Sequence, residues 1–299
     1  MFTHDHLKHT ASKIAQNDGD HKTNIPGLWV YRRSAATEAM PCIYGLGLGI
    51  TVQGGKRVLL GDEVFDYGVG QSLITSLDLP VVSYVSQASK AAPYIGIRLE
   101  LDARTITQEA AKMDLPDPTA ATTFTRAVSV NTLDSVLLDA VARLLALNDE
   151  SHLIRHLAPL VQQEIVIRLL RSAHAPTLRQ TLAAGTRSQS LSQLMDWLKN
   201  HYTEKISIDD LAAKAHMSPS TFRENFRTIT GSSPLQYLKN LRLQEARQLM
   251  LNDDMDAGSA ALRVGYESAS QFSREYRRLF GAPPYRDLQR MKLTEPAPA

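Results

Sequence analysis

Two stretches of the chain, residues 218–238 and 268–288, repeat one pattern of aromatic, small and polar residues at an interval of fifty positions. Their sequences are SPSTFRENFRTITGSSPLQYL and SASQFSREYRRLFGAPPYRDL. If each stretch is helical, its aromatic and aliphatic residues occupy one face and leave guanidinium, hydroxyl, amide and carboxylate groups on the other. Such groups hydrogen-bond to the base edges and phosphate oxygens of nucleic acids. The repeat therefore predicts two separate sets of groups able to bind DNA.

The exposed faces of the two predicted helices carry different hydrogen-bonding residues. We select as candidates for contact with double-stranded DNA Ser220, Thr221, Arg223, Glu224, Arg227, Ser270, Gln271, Ser273, Arg274, Arg277 and Arg278. Glu224 occupies the position that Arg274 has in the second copy, so the first helix could accept a hydrogen bond from cytosine where the second donates to guanine. Alternatively, Glu224 is a solvated residue that repels phosphates. The sequence leaves both interpretations open.

Residues that begin and end helices frame both copies. Ser218 precedes a proline, which is typical of a helix start, and Ser268 is followed three positions later by Gln271, which is typical of a capping box. Gly231 and Gly281 stand where each helix should end. The repeated polar faces are therefore predicted to lie on two well-delimited helices.

Each copy is preceded by a short apolar stretch, 208–215 and 259–264, that predicts a helix of its own. A short helix, a tight turn and a second helix form a helix-turn-helix unit, whose second helix can enter a DNA groove. The stretch 234–251 predicts a longer helix between the units, with apolar residues able to pack on both: Leu235, Leu238, Leu241, Leu249 and Met250. Such a helix would hold the two units about one DNA turn, roughly 34 Å, apart.

This pair of units resembles the DNA-binding domain of the AraC/XylS family of bacterial transcription regulators. The resemblance covers roughly residues 191–290, and the family's C-terminal signature is matched by Gly265-Tyr266-Glu267-Ser268, Gln271-Phe272, Arg274, Tyr276-Arg277-Arg278, Phe280-Gly281, Pro284 and Tyr285-Arg286. It implies a sequence-specific transcription regulator, an activator with RNA polymerase as a partner. It also implies that a small-molecule effector is bound by a separate N-terminal domain.

The distribution of charge agrees weakly with nucleic-acid binding. The formal net charge of +2 lies wholly in the C-terminal part, which has 15 Lys and Arg against 13 Asp and Glu from residue 190 onward. Local placement is the stronger indication, because basic residues surround the repeated helices. These residues are Arg223, Arg227, Lys239, Arg242, Arg274, Arg277 and Arg278.

Short β-branched or apolar runs separated by glycine turns predict strands in the N-terminal half. They lie at 43–52, 57–60, 63–67, 72–76, 81–85 and 94–101. Six closely spaced strands predict a small barrel or sandwich. The run 49–70, GITVQGGKRVLLGDEVFDYGVG, is similar to the sensor domain of one AraC-type subgroup, and this similarity implies a cupin-like barrel.

The predicted barrel lacks the ligands of a catalytic cupin, because no histidine occurs between His21 and His152. No nucleophile and base stand out as a pair either, so we expect no catalytic residues, no metal and no cofactor. The leading segment, residues 1–24, contains four histidines and fits a flexible polar tail. It could instead be an arm that folds over the sensor domain.

The single cysteine, Cys42, lies at the entrance to the first predicted strand. One cysteine excludes an internal disulfide and any multi-cysteine metal site. As a lone thiol, Cys42 is the candidate ligand-sensing residue, but no neighbouring Lys, Arg or His would lower its pKa. The alternative is a small, buried, apolar residue.

A helical region follows the predicted strands. Helices are expected at 105–113, 159–170 and 177–184, with a loop at 116–118. The stretch 132–147 also predicts a helix, with apolar residues at intervals of three and four: Leu133, Val136, Leu137, Ala140, Leu144 and Leu147. This stripe either packs on the barrel or forms a dimer seam, and the family resemblance favours a homodimer.

No run of residues is long and apolar enough to span a bilayer, and no secretory leader is evident, so we expect a cytoplasmic protein without membrane contact. The sequence predicts a flexible segment 1–24, a sensor and oligomerisation domain 25–184, a linker 185–190, a DNA-binding domain 191–290 and a disordered tail 291–299. The predicted fold class is multidomain α+β, with a cupin-like β-barrel and a helical dimerisation segment before an all-α double helix-turn-helix domain. The functional alternative is a constitutive DNA-binding regulator whose barrel serves only dimerisation or protein interaction.

Overall fold

The computed structural model describes residues 4–113, 126–182 and 187–294. Up to residue 182 these form two antiparallel β-sheets with helices on one side, and from residue 187 onward they are helical. The predicted α+β organisation with an all-α C-terminal domain is therefore confirmed. The predicted loop at 116–118 lies outside the described residues.

The two sheets face each other as a sandwich. The first sheet has the strand order β1-β2-β9-β4-β7-β10 and the second has the order β3-β8-β5-β6. The strands are β1 (Gly19–Lys22), β2 (Leu28–Arg33), β3 (Met40–Tyr44), β4 (Gly47–Gln53), β5 (Gly55–Leu60), β6 (Glu63–Gly68), β7 (Gln71–Thr75), β8 (Leu79–Gln87), β9 (Tyr94–Glu100) and β10 (Val128–Thr132). The face of the large sheet that meets the helices is apolar, with Leu48, Ile50 and Ile97 at most 2% exposed.

The five strands predicted between residues 57 and 101 correspond to β5–β9, whereas the strands before and after them were predicted wrongly or missed. The single strand expected at 43–52 is two strands, β3 and β4, which belong to different sheets because the chain crosses between them at Gly45 and Leu46. Strands β1, β2 and β10 were not predicted. Strand β1 pairs with β2, β2 pairs with β9 and β10 pairs with β7, so pairing with neighbouring strands stabilises them rather than any local signal.

Among the described residues, five α-helices cover the outer face of the large sheet: α1 (His4–Ile14), α2 (Ala103–Lys112), α3 (Ser135–Ala146), α4 (Ser151–Leu169) and α5 (Ala175–Leu182). The leading segment is therefore not a flexible tail. Leu7 and Ala11 of α1 are buried in one apolar cluster with Leu48 and Ile97 of the sheet. The alternative of an arm folded over the domain describes this segment correctly, since burial of these side chains offsets the entropy of ordering it.

Except for Val136, which is 44% exposed, the apolar stripe of α3 faces the interior of its own chain. Leu137, Ala140 and Leu144 are at most 1% exposed and belong to the cluster that also contains residues of α1 and α4. The dimer-seam interpretation of this stripe is therefore wrong, because a buried side chain cannot also contact a second chain. Helix α4 begins at Ser151, not at residue 159, and contains Pro159. Burial of its inner face outweighs the hydrogen bond that proline removes.

Seven helices form the C-terminal domain: α6 (Arg187–His201), α7 (Ile208–Lys214), α8 (Pro219–Thr230), α9 (Pro234–Asn252), α10 (Ala257–Arg263), α11 (Ala269–Phe280) and α12 (Pro284–Thr294). Residues 187–190, which were assigned to a linker, are the first turn of α6. Residues 291–294, assigned to a disordered tail, end α12. Helix propagation through polar residues explains both differences, because neither segment contains a glycine or proline that would stop a helix.

A fully buried histidine fixes the turn between α4 and α5 to the edge of the large sheet. His174 Nδ1 lies 3.1 Å from the side-chain nitrogen of Asn131 and 2.7 Å from the Ser129 hydroxyl. An amide NH2 can only donate, so Nδ1 accepts and the proton is on Nε2, which donates to Ser72 Oγ at 2.8 Å. Burial lowers the pKa of His174 from 6.5 to about 4, so the folded protein holds a neutral imidazole at pH 7.

We predict that His174 makes the protein acid-sensitive. Between pH 6.5 and 4 the unfolded chain binds a proton at this residue and the folded chain does not, so the stability falls as the pH falls. The loss between pH 7 and pH 5 should be about 2 kcal/mol. In urea denaturation at both pH values, His174→Gln should be less stable than the parent at pH 7 but should lose this pH dependence. The exposed His156, replaced in the same way, should keep it, and an unchanged slope in His174→Gln would contradict the assignment.

Candidate nucleic-acid interface

Two helix-turn-helix units are present, one made of α7 and α8 and the other of α10 and α11. Two residues after each first helix, the turn contains a residue with left-handed backbone, His216 with φ 54° and Gly265 with φ 87°. A Cβ at residue 265 would lie 2.4 Å from the carbonyl oxygen of Thr203, so this turn requires glycine. The second turn contains one residue more than the first, and both lead to a serine that begins the next helix.

The helix boundaries follow the sequence signals closely. The hydroxyls of Ser218 and Ser268 each accept a hydrogen bond of 3.3 Å from the backbone three residues on. Gly231 and Gly281 end α8 and α11 with φ of 71° and 78°. The capping box predicted at Ser268 is not formed, because the Gln271 side chain bonds to Glu275. The same motif occurs at the start of α7 instead.

Each second helix is anchored by aromatic residues on its inner face. Phe222 and Phe226 of α8 pack with ring centroids 5.5 Å apart, and Phe272 and Tyr276 of α11 pack at the same distance. All four side chains are at most 1% exposed. Between the units, α9 buries Leu238, Leu241 and Met250, whereas Leu235 is 47% exposed and does not pack as expected.

The candidate DNA-contacting residues lie on the opposite, outer faces of α8 and α11. Ten are exposed: Ser220, Arg223, Glu224, Arg227, Ser270, Gln271, Ser273, Arg274, Arg277 and Arg278. Thr221 is half-buried, and its hydroxyl accepts a 2.8 Å hydrogen bond from Ser218. Glu224 and Arg274 occupy matching places one turn into their helices. The arrangement offers two polar faces of different charge to a ligand in solvent.

Two of the basic residues expected around the repeated helices form hydrogen bonds within the C-terminal domain. Lys239 donates to Glu275 of α11 at 2.9 Å, and the hydroxyl of Tyr266 donates to the same carboxylate at 2.8 Å. Arg242 donates to the carbonyl groups of Tyr202 and Glu204 at 2.6 and 2.7 Å. Both basic residues are therefore occupied by partners within the domain.

A buried ion pair fixes the C-terminal helix to α9 and α11. Arg247 donates to both oxygens of Asp287 at 2.8 and 3.0 Å, and the hydroxyl of Tyr276 donates to the same carboxylate at 2.9 Å. The Arg247 and Asp287 side chains are 4% and 0% exposed. Burial, and then the adjacent Asp287 carboxylate, raise the pKa of Tyr276. These contacts hold the inner face of α11 while its outer face stays free.

The C-terminal end of α8 is docked on the N-terminal domain, which the sequence did not reveal. The turn between β5 and β6 reaches Gly231, where a Cβ on Gly61 would lie 2.1 Å from the Gly231 carbonyl oxygen. Arg126 donates to the carbonyl oxygens of Arg227 and Thr228 at 2.7 and 2.6 Å. The Arg227 carbonyl also accepts a 2.9 Å hydrogen bond from the backbone N–H of Gly231, so Arg126 adds to the backbone cap at the end of α8.

The docking is reinforced by a shared apolar cluster and by polar contacts at its rim. Leu60 and Leu79 of the small sheet belong to the same cluster as Phe226 and Ile229 of α8. Near its rim, Asp78 binds the ammonium of Lys199 at 2.6 Å. The first helix-turn-helix unit and the sandwich therefore share one core.

The remaining predicted residues lie away from the outer faces of α8 and α11. Cys42 is partly buried on β3, with its sulfur 3.5 Å from the Ser83 hydroxyl, and desolvation raises the pKa of this thiol. A raised pKa disfavours a reactive thiolate. Among the described residues no group of three His, Cys, Asp or Glu side chains could hold a metal ion. None of the described helices has the length and apolar character needed to cross a membrane.

Comparisons with protein families match both halves of the chain. A family described as "AraC-type transcriptional regulator N-terminus" matches residues 24–177, and one described as "Helix-turn-helix domain" matches residues 211–290. The HTH-type transcriptional regulator ExsA of Pseudomonas aeruginosa is 31% identical over 133 residues, which cover 44% of this chain and 48% of ExsA. The HTH-type transcriptional activator RhaS of Citrobacter koseri is 33% identical over 106 residues, 36% of this chain and 38% of RhaS. The chain thus aligns with about half or less of these relatives.

Solved structures share the fold over most of the chain. ToxT from Vibrio cholerae O395, bound to (E)-4-(8-methylnaphthalen-1-yl)but-3-enoic acid, matches with a TM-score of 0.61 and 11% identity, covering 87% of this chain and 97% of ToxT. A single-substitution variant of apo ToxT from strain SCE256 matches with a TM-score of 0.59 and 8% identity, covering 90% and 99%. At these identities the likeness establishes the two-domain fold.

We predict that the contact between Gly61 and Gly231 couples the two domains. In Gly61→Ala the new methyl group must displace the end of α8, in addition to the strain of a left-handed alanine. Gly70→Ala is the matched control, because its φ of 76° imposes similar strain but nothing lies within 4 Å of the new methyl.

In urea denaturation, Gly61→Ala should lose about 1–3 kcal/mol more than Gly70→Ala. Hydrogen exchange should also become faster at the last amides of α8 in Gly61→Ala alone. Equal effects of the two substitutions would contradict the coupling.

Proposed function

The chain belongs to the AraC-type transcriptional regulators, and from this premise we propose that it binds specific DNA sequences through α8 and α11 and regulates transcription in response to a small-molecule effector. The observation that carries the proposal is the pair of exposed polar faces on helices whose inner faces are anchored in the domain. Helix α9 joins the two units with its own side chains buried between them. One chain can therefore present two recognition helices to successive major-groove segments on one side of the duplex.

The two recognition helices would use different residues to contact bases and phosphates. On α11, Arg274 lies in the middle of the helix and Arg277 and Arg278 lie in its last turn. The middle of a recognition helix faces base edges, whereas the end of the helix faces the phosphate backbone. On α8, Glu224 takes the place of Arg274 and would accept a hydrogen bond from cytosine. Arg223 and Arg227 on the same helix would compensate its repulsion of phosphates.

The N-terminal domain is the proposed site of the effector and of self-association. ToxT, a protein of the same fold, holds a small organic molecule, and this supports an effector site at the level of fold. RhaS is named an activator, which supports activation with RNA polymerase as the partner. A homodimer would use a surface other than the α3 stripe. Leu160, 60% exposed on α4, lies on the free side of the helical layer and is the apolar residue best placed for it.

Selection from a library of random DNA duplexes, using the full chain, tests the proposed function. We expect enrichment of sites with two conserved blocks about one helical turn, or 10–11 base pairs, apart. Sedimentation of the complex on a selected duplex measures whether one or two chains bind. Recovery of duplexes without a shared sequence would contradict sequence-specific binding, and a single chain on every selected duplex would contradict the dimer.

Substitutions in α11 test the division between base contact and phosphate contact. Arg274→Ala should cost about 1–3 kcal/mol on the selected site and relax the preference at one base pair, as for the loss of a bidentate contact to guanine. Arg278→Ala should weaken binding to all sequences alike and make the salt dependence shallower by about one unit. Binding of both variants to single-base variants of the site, at several salt concentrations, measures this. The opposite assignment of effects would show that α11 docks differently.

A further inference from the structure

A lysine lies in the interior of the sandwich, between the two sheets. Lys56 is on β5 of the small sheet, and its ammonium is 5.3 Å from the ring centre of Tyr44 on β3 of the same sheet. It is also 5.8 Å from the ring centre of Tyr31, which is on β2 of the large sheet. Lys56 therefore shares the inward face of β5 with Val58 and Leu60, which are fully buried.

This ammonium forms no ion pair with a carboxylate of the described residues. Its surroundings are instead aromatic and hydroxylic, and the residues concerned, together called the Lys56 cluster, are Lys56, Tyr31, Tyr44, Thr51, Tyr67 and Tyr94. Desolvation lowers the pKa of Lys56, but the hydroxyl groups of Tyr44, Tyr94 and Tyr67 together raise it more, and the net shift is upward. The side chain is therefore a cation at neutral pH that has lost water without gaining a counter-charge.

Two hydroxyl groups of the cluster are also incomplete. The oxygen atoms of Tyr44 and Thr51 are buried, and neither makes a hydrogen bond of ordinary geometry within the described part of the chain. Tyr67 and Tyr94 are 5% and 3% exposed. Buried polar groups are usually satisfied, and unsatisfied ones are costly to the folded state. The ammonium of Lys56 interacts with the Tyr44 hydroxyl, and Tyr94 interacts with the Thr51 hydroxyl, but no anion faces the ammonium among the described residues. The uncompensated positive charge, beside two hydroxyls with incomplete hydrogen bonding, indicates that an anionic ligand completes the cluster.

An open cleft of about 640 Å³ reaches the cluster at Lys56 and Tyr67. Of the charged residues that line this cleft, Arg57 and Asp66 pair with each other through a 2.7 Å hydrogen bond. Lys56 is thus the one lining charge without compensation among the described residues. Tyr84 also lines the cleft, on the outer face of the small sheet, where Arg57 lies over its ring. A volume of this size is within the range of small-molecule sites.

We propose that the Lys56 cluster binds a small organic monocarboxylate, and that this is the chemical class of the effector, an inference that rests on the proposed function. One uncompensated ammonium matches one negative charge, whereas a doubly charged phosphate ester would leave an excess. The hydroxyls of Tyr44 and Thr51 can donate to the carboxylate oxygens that the ammonium leaves free. The rings of Tyr31 and Tyr67, on the same inner side of the sandwich as Lys56, suit the apolar remainder of such an acid.

The position of the cluster gives this ligand a route to the DNA-binding domain. Lys56 stands near one end of β5, and Gly61 stands at the turn that follows its other end and touches α8. Five residues of extended strand separate them by about 17 Å. Strands β5 and β6 are paired along their whole length, so a shift at Lys56 moves the turn against Gly231. The ligand site and the contact with α8 are thus two ends of one hairpin.

The test measures the thermal stability of the full chain with a panel of monocarboxylates and their uncharged amides. The panel contains octanoate, decanoate, benzoate, phenylacetate and 1-naphthoate, each paired with the corresponding primary amide. A ligand that binds only the folded protein raises the melting temperature, and the rise grows with the logarithm of the ratio of its concentration to its dissociation constant. At least one carboxylate should stabilise the protein, and its amide should bind about tenfold or more weakly.

Variants of Lys56 show whether the effect comes from this cluster. Lys56→Met should weaken binding of the active carboxylate by about tenfold or more, whereas Lys56→Arg, which keeps the charge, should retain a measurable part of it. Lys22→Met is the matched control, because Lys22 is an exposed lysine of the same domain that also lies over an aromatic ring, at 5.7 Å from Trp29. This control should respond to the carboxylate as the parent does.

The outcomes separate this inference from the proposed function. If no carboxylate of the panel stabilises the protein, or if Lys56→Met responds as the parent does, the carboxylate site is wrong. Selection from random duplexes then still decides whether the chain is a sequence-specific regulator. If Lys56→Met fails to fold, Lys56→Arg and the comparison of acids with amides decide instead, since equal binding of an acid and its amide contradicts charge recognition.

Discussion

The core of the first helix-turn-helix unit is continuous with that of the sandwich, and this constraint organises the whole molecule. Its inner residues, such as Phe226 and Ile229, complete an apolar cluster with Leu60 and Leu79 of the small sheet. Separating the two domains would expose this cluster to water and leave the end carbonyls of α8 without Arg126. The orientation of α8 is therefore set by the domain that precedes it in the chain. A regulator built in this way can transmit a change in the sandwich without a flexible intermediary.

The second unit is attached by a different kind of contact. Its apolar cluster contains residues of α9, α10 and α11 and, among the described residues, none of the sandwich. Hydrogen bonds also hold the second unit together, because the carboxylates of Asp287 and Glu275 each accept from more than one neighbouring side chain. Its contact with the sandwich includes an ion pair of Arg290 with the exposed Glu38. Such an exposed ion pair contributes little to the free energy of folding. The spacing of α8 and α11 thus depends on α9, while the orientation of the pair depends on how α8 meets the hairpin.

The two copies of the repeat combine similar buried faces with different exposed faces. Identical spacing of the aromatic residues keeps the inner faces of α8 and α11 alike, and the serine and glycine caps delimit both helices in the same way. The outer faces are free of packing constraints, so residues such as Glu224 and Arg274 can differ without cost to the fold. The same separation of faces is seen on β5, where Lys56 points inward and Arg57 lies on the outer side with Asp66.

Local sequence patterns were sufficient to predict the features that depend on neighbours within about one turn. Helical periodicity and caps located α8 and α11, and the alternation of strands with glycine turns located β5, β6 and β7. The sequence also placed Lys56 in phase with Val58 and Leu60, a signal for an inward-facing lysine that could have been recognised. Tertiary structure alone decided the rest. The leading segment forms helix α1 because it packs on the large sheet. The apolar stripe of α3 is part of the core because α1 and α4 pack against it. The docking of α8 and the surroundings of Lys56 both depend on residues that are far apart in the chain. Local sequence patterns therefore cannot predict either of them.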